Sequence, residues 1–157
     1  MADEAADPGA LNLRTENAAL AEALAAEHAA IWGYGVVGAA LAAEAQGLAT
    51  ASEVAHRDAR DRVLTLLAER DTEPVGAEGG YSLPFPVLSA TDAAALAVVL
   101  EDGVAAAWVR VLDQSVERTT RELAVGILSA TEVRAVGWRG AAGQTPVTRP
   151  FPGLPAT

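Results

Sequence analysis

The stretch TEPVGAEGGYSLPFPVLSATD, residues 72–92, interrupts an alanine-rich chain and decides how the rest can fold. It contains three prolines and three glycines, and its apolar residues follow no helical spacing. A connection this long is uncommon inside a compact domain unless it has a task, and carrying the chain from one end of a helix pair to the other is the obvious one. We therefore interpret it as a crossover.

Two amphipathic helices are predicted before the crossover. In the first, apolar residues recur at alternating steps of three and four between residues 20 and 41, and Glu27 lies within this seam. The second begins with a capping box formed by Thr50 and Glu53, and His56 can share its apolar stripe.

Two further helices are predicted after the crossover. The third runs from about Asp92 to Leu112 with Ser89 or Thr91 as its cap, and Glu101 occupies a core position. After the break DQS, a fourth helix ends near residues 138–140. Two helices, a crossover and two helices predict an all-α protein, a ferritin-like four-helix bundle with one long crossover connection between helices 2 and 3.

The same patterns divide the chain into three parts. Residues 1–15 are expected to form a flexible N-terminus, and residues 16–140 the four-helix bundle. Residues 141–157 are rich in proline and glycine, and Phe151 and Leu154 suggest that this tail docks on the bundle.

Composition agrees with closely packed helices in one domain. The chain has 157 residues, and 37 of them are alanine, the best helix former, while aromatic residues make up 4%. The net charge is −10 and all 11 basic residues are arginine, so the chain lacks the basic stripe that nucleic-acid binding requires.

Membrane insertion and secretion are not expected. The uncharged run Ala29–Ala43 would form a helix of about 22 Å, short of a bilayer core of ~30 Å. The chain has no cysteine, and its acidic start lacks the features of a signal peptide. A cytoplasmic location is the simplest interpretation.

Half of a di-metal pattern is present. Ferritin-like di-metal sites take a carboxylate from each of two helices and a Glu-x-x-His pair from each of the other two. Glu27 and Glu101 fit the lone carboxylates, and EVAH supplies Glu53 and His56, but the fourth helix has no histidine. The candidate ligands for iron or manganese are therefore Glu27, His56 and Glu101. Glu27 and His56 can lie at the same level only if the first helix stops near Gly38.

The sequence favours a different interpretation, in which these carboxylates are paired with arginine. A carboxylate buried without a partner costs several kcal/mol, and Arg57, Arg60 and Arg121 lie where they can face the seam. His28 reads more readily as a partly buried hydrogen-bonding histidine than as a ligand. The predicted central polar cluster comprises Glu27, His28, His56, Arg57, Glu101 and Arg121.

Glycines in the first helix indicate a close approach of another backbone. The motif GYGVVG follows no strand, so phosphate binding is not expected, but Gly35 and Ala39 form a small-x-x-x-small notch. The notch can face a neighbouring helix of the same chain, which we favour, or a second subunit.

Several motifs together resemble an uncharacterised actinobacterial family with a ferritin-like fold, often described as alanine-rich. They are AAEHAAIWGYGVVGA, AHRDARD, EPVGAEGGYSLPFPV, LAVVLEDGVAAAW, Arg121, Trp138 and the tail motif FPGL. The similarity extends from about Asn17 to Leu154. It implies the four-helix bundle and a dimer, but no function.

Three functions follow as hypotheses. The first, which we favour, is a non-catalytic bundle, a homodimer without a cofactor, whose central charges pair with one another. The second is a metal-dependent oxidoreductase or metal-storage protein that uses iron or manganese. The third is a protein-interaction module.

Overall fold

Four α-helices pack around a common apolar core in the computed structural model, which describes residues 8–155. They are α1 (Pro8–Ala39), α2 (Gln46–Glu69), α3 (Ala90–Gln114) and α4 (Arg118–Ala141), and a short 3-10 helix (Ala43–Ala45) precedes α2. No strand occurs in the described range, which confirms the all-α prediction. None of the helices within residues 8–155 combines the length and hydrophobicity that crossing a bilayer requires.

The first helix is longer than predicted. It begins at Pro8, so residues 8–15 of the expected N-terminal segment are helical, while residues 1–7 lie outside the described range. Proline is favoured at the first helical position because its missing N–H would have no partner there and its φ is already helical.

The second helix begins at Gln46, earlier than predicted. Thr50 and Glu53 therefore lie inside α2, and the predicted capping box is wrong. Glu53 instead accepts a hydrogen bond from Arg57 Nη2 at 2.5 Å. The cap of α3 is confirmed, because the Ser89 side chain accepts from the backbone N–H of Asp92.

The turn between α1 and α2 fixes their register. Helix α1 stops at Ala39, and the Gln46 side-chain amide donates to the carbonyl oxygens of Gly38 and Leu41, each at 3.2 Å. The end of a helix leaves its last carbonyl groups without intrahelical partners, and the Gln46 amide supplies a donor there. Helix α1 therefore ends next to Gly38, which is the end point that lets Glu27 and His56 lie at the same level along their helices.

The connection at residues 70–89 runs the full length of the helices. The Glu16 side chain contacts Arg70, at the end of α2, and the backbone of Val116 and Glu117, between α3 and α4. The start of α1 and the ends of α2 and α3 therefore lie at one end of the molecule. Helix α3 must begin at the opposite end, so it runs antiparallel to α1 and parallel to α2.

The C-terminal segment contacts the helices through polar and backbone groups. Arg149 pairs with Asp102 of α3 at 2.9 Å, and Gly153 lies so close to the α3 backbone that a Cβ there would be 2.6 Å from a carbonyl oxygen. Phe151 and Leu154 are 65% and 53% exposed, so these contacts of the tail come from other residues.

Candidate functional site

A buried network of charged side chains crosses the middle of the core. It contains one such residue from each helix, namely Glu27 of α1, His56 of α2, Glu101 of α3 and Arg134 of α4. The first three are fully buried, while the Arg134 side chain is 16% exposed. We call these four residues the central network.

His56 joins the two carboxylates. Its Nδ1 lies 2.7 Å from Glu27 Oε2, and its Nε2 lies 3.3 Å from Glu101 Oε1. Burial alone would lower the pKa of His56, but the hydrogen bonds to Glu101 and Glu27 outweigh burial and raise the pKa above the usual 6.5. Because an ionised carboxylate oxygen can only accept a hydrogen bond, this geometry favours the imidazolium form, in which both ring nitrogens donate.

Neutral aromatic donors complete the coordination of each carboxylate. Trp108 Nε1 donates to Glu27 Oε1 at 2.7 Å, and the Tyr34 hydroxyl donates to Glu101 Oε1 at 2.5 Å. Burial, together with the nearby Glu101 charge, raises the pKa of Tyr34, so its hydroxyl keeps the proton. The Tyr34 ring also stacks on the His56 imidazole, with centroids 5.3 Å apart.

Glu101 is the most heavily bonded member of the network. In addition to His56 and Tyr34, it accepts from Arg134 Nε, which lies 3.0 and 3.2 Å from its two oxygens. Burial by itself would raise the pKa of Glu101, but the hydrogen bond from His56 and the charges of His56 and Arg134 lower it below the usual 4.5. Glu101 is therefore ionised at neutral pH.

The charges of the central network cancel. Two carboxylates contribute −2, and one imidazolium and one guanidinium contribute +2. Buried charges are stable when they are paired and hydrogen-bonded, and this arrangement meets both conditions. Both carboxylates are fully buried, so a dissolved molecule cannot contact them. The network can bind protons and fix the positions of the helices.

The geometry does not fit the metal centre that is the alternative interpretation of the sequence. A metal ligand must offer a free lone pair, whereas both His56 nitrogens face carboxylates and Glu101 is shared with Arg134. Within residues 8–155, no three His, Cys, Asp or Glu side chains are arranged to hold a metal ion. Glu27, His56 and Glu101 are thus brought together, but as partners of one another.

The other three predicted members of the cluster lie elsewhere. His28 is half-buried, and its Nε2 lies 3.2 Å from the carbonyl oxygen of Val75, where it fastens the crossover to α1. Arg57 is half-exposed and pairs with Glu53 on its own helix. Arg121 lies in the exposed first turn of α4 and donates to the carbonyl of Val116 at 2.9 Å.

The sequence interpretation missed Arg134, although a signal for it was present. In the fourth helix, Thr120, Leu123, Ile127 and Ala130 recur at steps of three and four, and one more step of four reaches this arginine. Hairpin register points the same way: Glu101 lies in the middle of α3, so a residue level with it belongs to the second half of α4, whereas Arg121 is in the first turn. Tyr34 and Trp108 are a further signal, because a buried Tyr or Trp usually has a hydrogen-bond partner.

A third buried carboxylate joins the chain segments at one end of the molecule. Glu16 is fully buried and accepts from Thr120 Oγ1 at 2.5 Å, from Arg70 Nη2 at 2.7 Å and from the backbone N–H groups of Val116 and Glu117. Burial by itself would raise its pKa, but these hydrogen bonds lower it. A side chain of α1 thus caps the start of α4, an arrangement that no local sequence pattern reveals.

Comparison with known proteins places this all-helical chain in a family. Residues 19–156 match the model of a family described as a domain of unknown function (DUF4439), and the chain belongs to that family. A solved relative is a conserved hypothetical protein, Rv2844, from Mycobacterium tuberculosis, known from its crystal structure. The two are 38% identical, with a TM-score of 0.78, over 81% of this chain and 96% of that one. No curated protein matches the chain.

Proposed function

We propose that this protein is a non-catalytic, ferritin-like four-helix protein in which the central network takes the place of a di-metal centre. The observation that carries the proposal is the doubly bonded His56, held at 2.7 and 3.3 Å from two carboxylates. The arginine at the fourth helix supplies the second positive charge where a di-metal protein would have another Glu-x-x-His pair.

The path of the chain supports the ferritin-like part of the proposal. An up-down-up-down bundle would have short loops throughout and would place α3 parallel to α1. Here α3 is antiparallel to α1 and follows a connection at residues 70–89 that spans the length of the helices. One long crossover between two antiparallel hairpins is the connectivity of ferritin-like bundles.

The role proposed for the central network is to specify helix register. Each member contacts a residue on another helix, so a slip of any one helix would leave a buried charge without its partner. Buried polar groups are known to select one register in this way.

Two observations support a homodimer. At Gly35 and Gly38 nothing lies within 4 Å of the place a Cβ would take, so no other helix of the chain packs closely against these positions. They line an open groove of about 270 Å³ between the end of α1 and the start of α2. The second-subunit alternative is therefore the better account of these glycines. A cytoplasmic location, suited to a chain without cysteine, completes the proposal.

Elemental analysis of protein purified without chelators tests the central claim. We expect iron, manganese and zinc far below one ion per chain, and stoichiometric metal would overturn the proposal. Nitrogen-15 NMR of the imidazoles provides a second readout: His56 should show two protonated ring nitrogens at pH 6, whereas a metal ligand would have lost one proton. Light scattering of the full chain tests the dimer, with Gly35→Arg as the disrupting variant and Gly137→Arg, on exposed α4, as its control.

A further inference from the structure

A groove between α2 and α4 leads from the surface to the central network. Close helix packing joins α1 to α2, α1 to α3 and α3 to α4, whereas α2 and α4 stay further apart. The resulting groove has a volume of about 160 Å³, and small side chains keep it open. At Gly126 a Cβ would meet nothing within 4 Å.

One end of Arg134 is free to bind a ligand in this groove. Its Nε bonds to Glu101 and its Nη2 to Thr131 Oγ1 at 3.0 Å, but Nη1 has no hydrogen-bond partner among residues 8–155. This nitrogen is not among the buried polar atoms without partners, so it is open to solvent. Arg134 also lines the groove, which places an oriented donor there.

Two further charged side chains line the groove on α2. Asp58 and Arg62 are both exposed, and neither forms an ion pair or side-chain hydrogen bond in the described part of the chain. They are four residues apart on one helix, so their side chains are neighbours. The central network has no net charge and the charges of Asp58 and Arg62 cancel, so the groove as a whole is neutral. It offers two positive groups, Arg62 and Arg134, and one negative group, Asp58.

We propose that the α2–α4 groove binds a small zwitterionic α-amino acid, whose carboxylate contacts Arg134 and Arg62, whose ammonium contacts Asp58, and whose short side chain packs against Ala59 and Ile127. A neutral groove on a protein of net charge −10 does not favour a free anion, while Arg62 and Arg134 oppose a free cation. A zwitterion offers a carboxylate to the two arginines and an ammonium group to Asp58. A volume of 160 Å³ accommodates about five waters, which corresponds to a molecule the size of L-alanine. This inference goes beyond the proposed function.

NMR titration of the full-length protein with three probes tests the proposal. The probes are L-alanine, propionate, which lacks its ammonium, and ethylamine, which lacks its carboxylate. We expect L-alanine to shift the Ala59 and Ile127 amide resonances saturably, with about millimolar affinity for so small a ligand, and each half-probe to bind about tenfold more weakly or not at all. Absence of a saturable shift with L-alanine, or equal binding of propionate, would overturn the proposal.

Variants that leave the central network intact complete the test. Arg62→Gln and Asp58→Asn should each weaken L-alanine binding about tenfold, because each removes one charge-assisted contact. Gly126→Leu should fill the groove and abolish binding. Gly137→Leu is its control, since this glycine of α4 is also exposed with open space above it but does not line the groove. Unchanged binding by Gly126→Leu would refute the assignment to this groove.

Discussion

Replacing Glu27 and His56 together by glutamine removes one negative and one positive charge from the central network and leaves Glu101 paired with Arg134. The double change is more informative than His56→Gln alone, because the single change would leave two buried carboxylates with one arginine. A proton taken up to offset that excess negative charge would imitate the lost histidine. In the double variant the charges still balance, and the titration of His56 is gone.

The expected magnitude follows from proton linkage. The pKa of His56 is raised in the folded protein above the 6.5 expected of the unfolded chain, so between these two values the folded state binds one more proton. The stabilisation is fully present below pH 6.5 and is lost as the pH rises through the folded-state pKa. Between pH 6.5 and the raised folded-state pKa of His56, the free energy of unfolding of the wild type should fall relative to the double variant, with a slope of at most about 1.36 kcal/mol per pH unit.

Urea unfolding between pH 6 and 9, in about half-unit steps, measures this difference. His28→Gln serves as the control, because His28 contacts the crossover and not the central network. It should retain the slope of the wild type. Parallel curves for the wild type and the double variant, or an NMR titration in which the His56 ring loses its proton below pH 6.5, would refute the account of a doubly bonded imidazolium.

Three other predictions concern stability. Arg134→Met leaves the central network with an unbalanced negative charge and should lower the free energy of unfolding by about 3 kcal/mol. Arg57→Met, which breaks a half-exposed pair, should lower it by less than about 1 kcal/mol. Equal losses of stability in urea unfolding would contradict this. Glu16→Gln should lower the free energy of unfolding by about 2 kcal/mol at pH 7. The difference from the wild type should shrink as the pH falls below 4.5 and Glu16 itself becomes protonated. A difference that does not change with pH would argue against this role of Glu16. Gly103→Ala should stabilise by about 1 kcal/mol because the site is open, while Gly153→Ala should destabilise, since φ is +77° there and the α3 backbone is too close; thermal unfolding compares the two.

Helix number and order were predictable from the sequence because they rest on local patterns. Proline and glycine between residues 72 and 92 rule out a helix, and apolar periodicity marks the four segments on either side. Two helix starts were missed for an equally local reason. Pro8 is a signal for a first helical residue that the apolar spacing does not show. Thr50 has the spacing of a cap, although α2 begins at Gln46.

The buried carboxylates were recognisable, but most of their partners were not. Glu27 and Glu101 occupy seam positions, so their burial could be anticipated from spacing. Which arginine reaches these carboxylates depends on its distance along α4 from the α3–α4 turn. Arg121 is too close to that turn, whereas Arg134 lies at the height of Glu101. The partners of Glu16 come from segments more than fifty residues away, and no spacing along one helix encodes them.

The antiparallel arrangement of neighbouring helices has an electrostatic consequence for the whole molecule. Each end carries the starts of two helices and the finishes of two others, so the partial charges of the four backbone dipoles offset one another there. Neither end attracts ions through its peptide groups. The field that an approaching molecule meets is therefore set by ionised side chains, and with a net charge of −10 it repels anions from a distance and draws cations inward.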